Sequence, residues 1–394
     1  MSSLKVNKGH LKSEVHLPSS KSYANRALIL AALSKHAVTF KNLPDSTDVT
    51  ILLKCLMELG LNITVAGAEV TVHSSFPACE SEPRTFEVGE GGTTARFLAT
   101  MLLLGKENYR LILGSRLKDR PWQEFIKIAR ELGAEAALKN NELRIKGPIT
   151  FPEQLIIDCS ETTQFATAFK LICPASTKVF PLGLKSSVSY WAMTEKVIQE
   201  IATKKEYSIP FDWSSAAYPM AFAALNHEIS FPELKHDSFQ ADAKILPILK
   251  NFKAVAETHE GIKVSPTKDF FNFSQDMSDA LDLVPALSFF LAHVKGQHEL
   301  SGIQNLVHKE SDRLSEVIKL LGKFEKKAWS RDGSLFIEGN PALISQKVQL
   351  QMPDDHRMVM TATLFLLHHS GGEISPREAV SKSYPHFFEL LKSI

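Results

Sequence analysis

Residues 17–33 read LPSSKSYANRALILAAL, a polar and basic beginning followed by an almost purely apolar run. Pro18 and the serines predict a helix start, because serine oxygens accept hydrogen bonds from the first N–H groups of a helix. A helix N-terminus attracts phosphate and carboxylate groups, and Lys21 and Arg26 add two full positive charges beside it. The same stretch is equally typical of an ordinary capped core helix whose basic residues face solvent.

The same pattern, small or polar residues leading into a helix rich in Ala, Leu and Phe, occurs six times. Its other instances begin at Gly91, Thr162, Ser214, Ser278 and Asp354. Starts that lie roughly 50 to 75 residues apart predict a repeated supersecondary unit. Amphipathic helices and short alternating segments lie between them, so we expect each unit to run strand, buried helix, strand, exposed helix and hairpin. Six units suit two domains of three units, whose polar helix tips would meet as an anion-binding surface.

The bulk composition indicates a globular protein that recognises its ligands locally. The 394 residues are 44% hydrophobic and 23% charged, which suits two or three domains with a sizeable core. A net charge of +1, from 45 basic and 44 acidic side chains, argues against a polyanion-binding surface, so we expect no nucleic-acid partner. Any binding of anions must come from the local placement of Lys and Arg.

The cysteines and the longest apolar run favour a cytoplasmic protein without a membrane segment. Cys55, Cys79, Cys159 and Cys173 are scattered without zinc-ligand spacing, as expected for free thiols in a reducing compartment. The N-terminal segment lacks the apolar core of a signal peptide, and the run Leu283–Val294 is too short to span a bilayer. The chain has no GxxxxGK[ST] and no HExxH motif, so we expect neither a P-loop nucleotide site nor a metal or cofactor.

The helix tips and several loops carry a set of cations that predicts ligands with several negative charges. Two phosphates plus a carboxylate would balance the set. Asp279 at the fifth tip, His356 at the sixth and Glu310 in the loop LVHKESDRL lie among them. A carboxylate there suits a general base toward a substrate hydroxyl. An aspartate at a helix start such as Asp279 is most often a helix cap, and Glu310 is equally typical of a solvated pair with an arginine. The cations are Lys21, Arg26, Arg96, Arg120, Lys309, Arg313, Arg357 and Lys382.

Eight features resemble, in order and spacing, the family of 5-enolpyruvylshikimate-3-phosphate synthases. They are LPSSKSYANRALILAAL, GGTTAR, RLKDRP, TTQF, SDAL, HKESDR, DDHRM and the terminal Lys382, and they extend over nearly the whole chain. The resemblance implies an α/β fold of two domains, each an inside-out barrel of three βαβαββ units with buried helices. It implies a first domain of residues 1–19 and 210–394, a second domain of residues 20–209, and an active site in the cleft between them.

The resemblance also implies an activity: transfer of the enolpyruvyl group of phosphoenolpyruvate to the 5-hydroxyl of shikimate 3-phosphate, with release of phosphate. We expect a monomer that needs no cofactor. Residues implied to bind shikimate 3-phosphate are Lys21, Ser22, Arg26, Thr162, Thr163, Gln164, Ser187, Tyr190, Asp279, Asn305 and Lys309. Residues implied to bind phosphoenolpyruvate are Lys21, Gly92, Arg96, Arg120, Gln164, Arg313, Arg357 and Lys382.

The family pattern further implies how protons move. Asp279 resembles the base that takes the proton of the 5-hydroxyl, and Glu310 resembles the donor to carbon 3 of phosphoenolpyruvate. Lys21, His356 and Lys382 are further candidates for carrying protons, so the assignment of each proton stays open.

Several departures from the family pattern, among them Glu90 and Phe97, and two alternatives accompany this interpretation. Glu90 stands where a neutral Asn is common, and its carboxylate would weaken anion binding if it pointed into the donor site. Phe97 replaces a frequent proline. One alternative is the related enolpyruvyl transferase that acts on UDP-N-acetylglucosamine, which usually has a cysteine in the loop corresponding to GSRLKDRPW, where this chain has none. The other is a non-catalytic anion-binding protein on the same fold.

Overall fold

The computed structural model describes residues 2–79, 82, 84–259 and 261–392, which form a mixed α/β protein with several separate sheets. The chain divides into two compact units. We call Met1–Pro18 with Phe211–Ile394 the first unit, and Ser19–Pro210 the second unit. None of the helices in the described ranges combines the length and the apolar character that a membrane span requires. The four cysteines are free thiols.

The first unit opens with strand β1 (Leu4–Val6), after which the chain enters the second unit. The elements of the second unit are α1 (Lys21–Leu33), β2 (Val38–Lys41), α2 (Thr47–Glu58), β3 (Ile63–Ala66), β4 (Glu69–Val72), β5 (Arg84–Gly89), α3 (Gly92–Leu102), β6 (Asn108–Leu113), α4 (Gln123–Glu131), β7 (Glu135–Lys139), β8 (Glu142–Lys146), β9 (Gln154–Asp158), α5 (Gln164–Ile172), β10 (Lys178–Leu182), α6 (Val188–Thr203) and β11 (Glu206–Ser208).

One sheet arrangement occurs twice in the second unit. In the sheet β5-β6-β8-β7, strands β5 and β6 are parallel, and the hairpin β7–β8 is added antiparallel through β8. The sheet β11-β2-β4-β3 repeats this arrangement, with β11 in the place of the first strand. Strands β9 and β10 form a parallel pair without a hairpin in the described part of the chain. This third repeat differs from the predicted unit, which ends in a hairpin. The single strand after α6, β11, pairs with β2 of the first repeat and not with β9 or β10.

Helices α1, α3 and α5 pack against one another and form the core of the second unit. In α3 every residue from Thr94 to Leu102 is buried, as expected for a helix that is apolar on nearly every side. Arg96 is the charged member of this buried set, and a buried charge persists only where partners replace the lost water. The chemistry of these helices is therefore concentrated at their first turns.

The first unit repeats the same construction. Its elements after β11 are α7 (Trp213–Ala223), β12 (Ile229–Phe231), α8 (Ile245–Asn251), β13 (Val255–Thr258), β14 (Gly261–Val264), β15 (Phe273–Asp276), α9 (Val284–His293), β16 (Gly296–Ser301), α10 (Arg313–Lys323), β17 (Lys327–Arg331), β18 (Ser334–Gly339), β19 (Val348–Gln351), α11 (His356–His368) and β20 (Gly372–Ser375). The sheet β15-β16-β18-β17 has the strand order and directions of β5-β6-β8-β7, and the other sheets are β12-β14-β13 and β1-β20-β19. Helices α7, α9 and α11 pack against one another.

One helix begins later than the sequence predicted. Ser278 and Asp279 precede a 3-10 turn at Leu281–Leu283, and α9 begins only at Val284. Pro285 explains this start, because proline fits the first turn of a helix but lacks the N–H that an interior position needs. Asp279 is therefore not the cap of α9.

Candidate functional site

The N-termini of α1, α3 and α5 meet in the second unit. Asn25 of α1 donates a hydrogen bond from Nδ2 to Thr93 Oγ1 of α3 at 2.8 Å. Arg96 of α3 donates from Nη1 to Gln164 Oε1 of α5 at 2.7 Å and to Thr162 Oγ1 at 3.2 Å. Three helix ends that attract anions thus lie together, as the repeated sequence pattern predicted for this unit.

These three helices are not capped by their own N-cap side chains in the described part of the chain. The N-cap residues Ser20, Gly91 and Thr163 make no capping hydrogen bond within the described residues. The buried hydroxyl of Ser20 has no partner in that part of the chain. In the first unit, by contrast, Asp212 and Asp355 cap α7 and α11. One N–H group at these ends is used, because Gln164 of α5 donates its backbone N–H to Thr162 Oγ1 at 3.3 Å. N-cap side chains that do not cap their helices favour an anion-binding end over an ordinary capped helix.

Lys21, the first residue of α1, forms a largely buried ion pair. Its Nζ lies 2.9 Å from Asp48 Oδ2, and the two side chains are 17% and 4% exposed. Asp48 lies in the first turn of α2, where a negative charge also complements the helix dipole. Sequence reasoning missed Asp48 because it lies 27 residues from Lys21 and no local motif joins the two.

Arg26 is buried among carbonyl groups and aromatic rings. It donates from Nε to Thr194 Oγ1 at 2.9 Å, from Nη1 to Ser22 O at 2.9 Å and from Nη2 to Tyr190 O at 3.3 Å. Its guanidinium also lies over the rings of Phe97 and Tyr190, 5.4 and 5.6 Å from their centroids. Burial lowers the pKa of Arg26 to about 10, because the charged guanidinium has lost most of its contact with water. A bound anion would stabilise this charge in place of the lost water.

Arg96 and Arg120 bring two positive charges beside Gly92. A Cβ on Gly92 would lie 2.7 Å from Arg120 Nη1 and 3.0 Å from Gln164 Oε1, so any larger residue forces the guanidinium to move. Arg96 is held from its other side, because Nη2 donates to Pro121 O at 2.9 Å. Burial, and then the charge of Arg120, hold the pKa of Arg96 well below its ordinary value. A bound phosphate or carboxylate would relieve this mutual repulsion.

The other predicted residues of the second unit lie at the starts of α5 and α6. Thr162 and Thr163 are half-buried and directly precede α5. Ser187 is the N-cap of α6 with a left-handed backbone, φ 59°, and Tyr190 follows in the first turn. A positive φ at a residue other than glycine is uncommon and is often found at functional positions. The residues that the resemblance implied for this unit therefore lie at or near helix N-termini, except Arg120, which follows the 3-10 turn Leu117–Asp119.

In the first unit, Asp282 draws three predicted cations together. Its oxygens lie 3.3 Å from Lys309 Nζ, 2.6 Å from Arg313 Nη1 and 2.8 Å from Arg357 Nη2. Burial works to raise the pKa of Asp282, but these cations, Arg357 most strongly, hold it well below its ordinary value. Sequence reasoning named Asp279, which lies three residues earlier and is half-buried, and missed Asp282.

Asp355 fixes the direction of the Arg313 guanidinium. It accepts hydrogen bonds from Arg313 Nε at 2.7 Å and from Nη2 at 3.1 Å, and both side chains are almost fully buried. The same carboxylate accepts the backbone N–H of Arg357 at 3.0 Å, which caps α11. Because a bidentate pair orients the guanidinium plane, Asp355 directs the third nitrogen of Arg313 toward Asp282.

Glu310, His356 and Lys382 form a second cluster in the first unit. His356 Nδ1 lies 2.9 Å from Glu310 Oε2, and Lys382 Nζ lies 3.9 Å from the same oxygen. Lys382 also lies 3.0 Å from Asp354 Oδ2. Burial works to raise the pKa of Glu310, but His356 and Lys382 hold it well below its ordinary value. Glu310 is thus a carboxylate at neutral pH, so proton donation from this cluster depends on its basic partners.

Two further polar residues of the first unit precede helices. Asn305 is half-buried in the 3-10 turn Gln304–His308, which Lys309 follows. Asp242, which sequence reasoning missed, accepts a hydrogen bond from Ser214 at the start of α7. Burial raises the pKa of Asp242 to about 6 despite a nearby arginine, so this carboxyl can hold or release a proton near neutral pH.

Glu310, Asp355 and His356 have donor atoms within 4.8 Å of one another, close enough to share a metal ion. Their oxygens already accept hydrogen bonds, however, since Asp355 pairs with Arg313 and Glu310 with His356. Lys382 adds another positive charge beside Glu310. Because cationic side chains surround these three residues, the site is better suited to bind an anion than a metal ion.

Comparison with known proteins identifies a family over almost the whole chain. The model of the EPSP synthase family, 3-phosphoshikimate 1-carboxyvinyltransferase, matches residues 6–391. The chain is similar to the 3-phosphoshikimate 1-carboxyvinyltransferases of Vibrio campbellii, 28% identical over 99% of this chain and 98% of the relative, and of Dehalococcoides mccartyi, 27% identical over 99% and 98%.

Solved structures share the fold at lower sequence identity. An EPSP synthase from Acinetobacter baumannii superposes with a TM-score of 0.78 at 21% identity, covering 98% of this chain and 97% of that one. The enolpyruvyl transferase NikO from Streptomyces tendae gives a TM-score of 0.74 at 13% identity, covering 98% and 95%. At these identities the superpositions are evidence for the fold alone.

Proposed function

Because the chain belongs to the family of EPSP synthases, the 3-phosphoshikimate 1-carboxyvinyltransferases, we propose that its buried cations bind the two anionic substrates of that family. The chain is an enolpyruvyl transferase of the shikimate pathway, which moves the enolpyruvyl group of phosphoenolpyruvate to the 5-hydroxyl of shikimate 3-phosphate and releases phosphate. The observation that carries the assignment of residues is the concentration of buried arginines at helix N-termini in each unit. Residues of both units then take part in one reaction.

Shikimate 3-phosphate is assigned mainly to the starts of α1, α5 and α6. Arg26 supplies a poorly solvated guanidinium for its phosphate, and Tyr190 and Ser187 lie on the element that Arg26 contacts. Hydroxyl and amide side chains are suited to the ring hydroxyls, since they can both donate and accept hydrogen bonds. The proposed set is Lys21, Ser22, Arg26, Thr162, Thr163, Gln164, Ser187 and Tyr190, with Asn305 and Lys309 from the first unit. Asp279, which the family resemblance also implied, is left out of this set because Asp282 takes its place.

Phosphoenolpyruvate carries two anionic groups, and two pairs of arginines are assigned to them. Arg96 and Arg120 beside Gly92 take one group, and Arg313 and Arg357 take the other. The repulsion between Arg96 and Arg120 supports this assignment, because a bound anion gains from both charges. The remaining members of the proposed set are Lys21, Gln164 and Lys382, of which Lys21 and Gln164 contact both substrates.

The cationic carbon that forms during enolpyruvyl transfer requires nearby anions and proton carriers. We assign proton delivery to carbon 3 to the Glu310 cluster, with the proton held by His356 or Lys382 before transfer. We assign the base for the 5-hydroxyl to Asp282 in preference to Asp279. The three cations around Asp282 lower its pKa. Substrate anions that bind these cations would partly neutralise them and so raise the pKa of Asp282 toward the range of a useful base.

The finer architecture and the state of association are proposals as well. We infer that each unit is an inside-out α/β barrel with three buried helices, and that the protein acts as a cytoplasmic monomer whose partners are its small-molecule substrates. Light scattering after size-exclusion chromatography should then give a mass near 43.8 kDa. Twice that mass at assay concentration would contradict the monomer.

A coupled assay of phosphate release tests the proposed function. Purified protein should release phosphate with shikimate 3-phosphate and phosphoenolpyruvate together, and not with either alone. Release with UDP-N-acetylglucosamine in place of shikimate 3-phosphate, and none with the shikimate substrate, would overturn the assignment. No release with either acceptor would instead favour a non-catalytic anion-binding protein.

A further inference from the structure

Glu90 directs its carboxylate to a neighbouring loop. The expectation from its sequence position was a charge that weakens anion binding if it points into the donor site. Its carboxylate accepts hydrogen bonds from the backbone N–H of Leu117 at 3.0 Å, from that of Arg116 at 3.2 Å and from Ser115 Oγ at 3.1 Å. Bonds to an ionised acceptor are stronger than neutral ones, so three donors hold this carboxylate in place.

The backbone around Glu90 is shaped for this contact. A β-bulge between Glu87 and Gly89 shifts the register of β5 against β6, and bulges commonly re-aim the side chains that follow them. Gly114, at the end of β6, donates its N–H to Gly89 O at 2.9 Å. A Cβ on Gly114 would overlap the Glu90 carboxylate, so the glycine leaves the room that the carboxylate occupies.

The loop that Glu90 holds is the one that carries Arg120. A 3-10 turn at Leu117–Asp119 leads directly to Arg120, whose Nη1 reaches the surroundings of Gly92. The far end of the loop is also fixed, because Trp122 Nε1 donates to Leu117 O at 3.0 Å. Glu90 adjoins the Gly91–Gly92 turn in the chain, so its carboxylate ties the two sides of the Gly92 surroundings together.

We propose that Glu90 is a positioning residue for Arg120 and thereby sets the affinity for phosphoenolpyruvate. This inference rests on the proposed function, in which Gly92 and Arg120 bind that substrate. The Glu90 carboxylate affects Arg120 by holding the loop that carries it. The three hydrogen-bond donors of that loop stabilise the negative charge of this carboxylate. Its removal should therefore loosen Arg120 and weaken donor binding, although a repulsive anion is lost at the same time.

The test compares Glu90→Gln and Glu90→Ala with Glu87→Gln. Glu87 is an exposed glutamate of β5, the strand that ends one residue before Glu90, and its change to Gln removes the same charge. The KM for phosphoenolpyruvate should rise about 5- to 20-fold in the Glu90 variants, most in Glu90→Ala. The KM for shikimate 3-phosphate, kcat and all constants of Glu87→Gln should stay within about twofold. A lower KM for phosphoenolpyruvate in the Glu90 variants would mean that the carboxylate repels the substrate. An unchanged KM would mean that the carboxylate has no effect on donor binding. Either result overturns the proposal.

Amide hydrogen exchange of the loop gives a second readout that does not depend on activity. In Glu90→Gln the amides of Arg116 and Leu117 should exchange faster, while exchange elsewhere and the melting temperature stay close to wild type. Unchanged exchange at these two amides in Glu90→Gln would show that Glu90 does not hold the loop, even if Glu90→Ala fails to fold. An inactive wild-type protein with the predicted exchange pattern would refute the proposed function and leave the contact itself supported.

Discussion

Replacement of Asp282 by Asn removes the charge at the centre of the first-unit cation cluster and changes the side-chain shape very little. Three cations then lose a carboxylate that lies 2.6 to 3.3 Å from them. If Asp282 is the base for the 5-hydroxyl, kcat should fall about 10²- to 10⁴-fold, the contribution of a well-positioned general base. The KM for phosphoenolpyruvate should not rise, because the released cations attract its anionic groups more strongly.

The same substitution has a limited expected effect on stability. Breaking a fully buried ion pair costs about 3–5 kcal/mol. The Asp282 side chain is 20% exposed, and Arg313 keeps its pair with Asp355. We therefore expect a loss of at most about 2 kcal/mol, which lowers the melting temperature by a few degrees. A folded but slow enzyme is thus the expected outcome.

Asp279→Asn is the matched control, since it makes the same chemical change three residues earlier. Phosphate release at saturating substrates gives kcat, and differential scanning fluorimetry reports whether each variant is folded. We expect Asp279→Asn to keep kcat within about threefold of wild type. A hundredfold loss in Asp279→Asn together with near-normal activity in Asp282→Asn would refute this reasoning and assign the base to Asp279, as the family resemblance implied.

The remaining predictions concern the donor site and acid stability. Gly92→Ala puts a Cβ 2.7 Å from the present position of Arg120 Nη1, so steady-state kinetics should show about a tenfold higher KM for phosphoenolpyruvate; an unchanged KM would argue against binding there. Burial lowers the pKa values of His368 and His369 to about 4 and about 3. Unfolded histidine binds its proton near pH 6.5, so stability that is complete above that pH is lost as the pH falls toward 4. The pKa of the neighbouring buried His293 is also lowered and acts in the same direction. Asp242, with its pKa raised to about 6, works in the opposite direction, but it is one group against several histidines. Calorimetry from pH 7 to pH 5 should therefore show a falling melting temperature, and a flat or rising profile would contradict the prediction.

The buried helices could be predicted from the sequence because an apolar pattern on every side is a local property. Among the described residues, five of the six begin within two residues of the predicted start. The exception is α9, where Pro285 delays the start and leaves Asp279 outside the helix. The missing hairpin after α6 could not be predicted, because β11 pairs with β2, a strand far back in the chain.

The cations of the site could be predicted, whereas their partners could not. Arg313 and Arg357 both bond to Asp282, from 31 and 75 residues away along the chain. Lys21 likewise pairs with Asp48, which no motif connects to it. Such ion pairs form only when the fold brings distant helix ends together. The sequence motifs therefore identify the charged residues but do not show which of them are in contact.

Mass spectrometry of the products, combined with a phosphate assay on the same reaction, measures whether this chain joins phosphoenolpyruvate to shikimate 3-phosphate. We expect a new species with the mass of shikimate 3-phosphate plus one enolpyruvyl group, formed in a one-to-one ratio with released phosphate. Phosphate without that species, or the enolpyruvyl product of UDP-N-acetylglucosamine in its place, would show that the chain catalyses a different reaction.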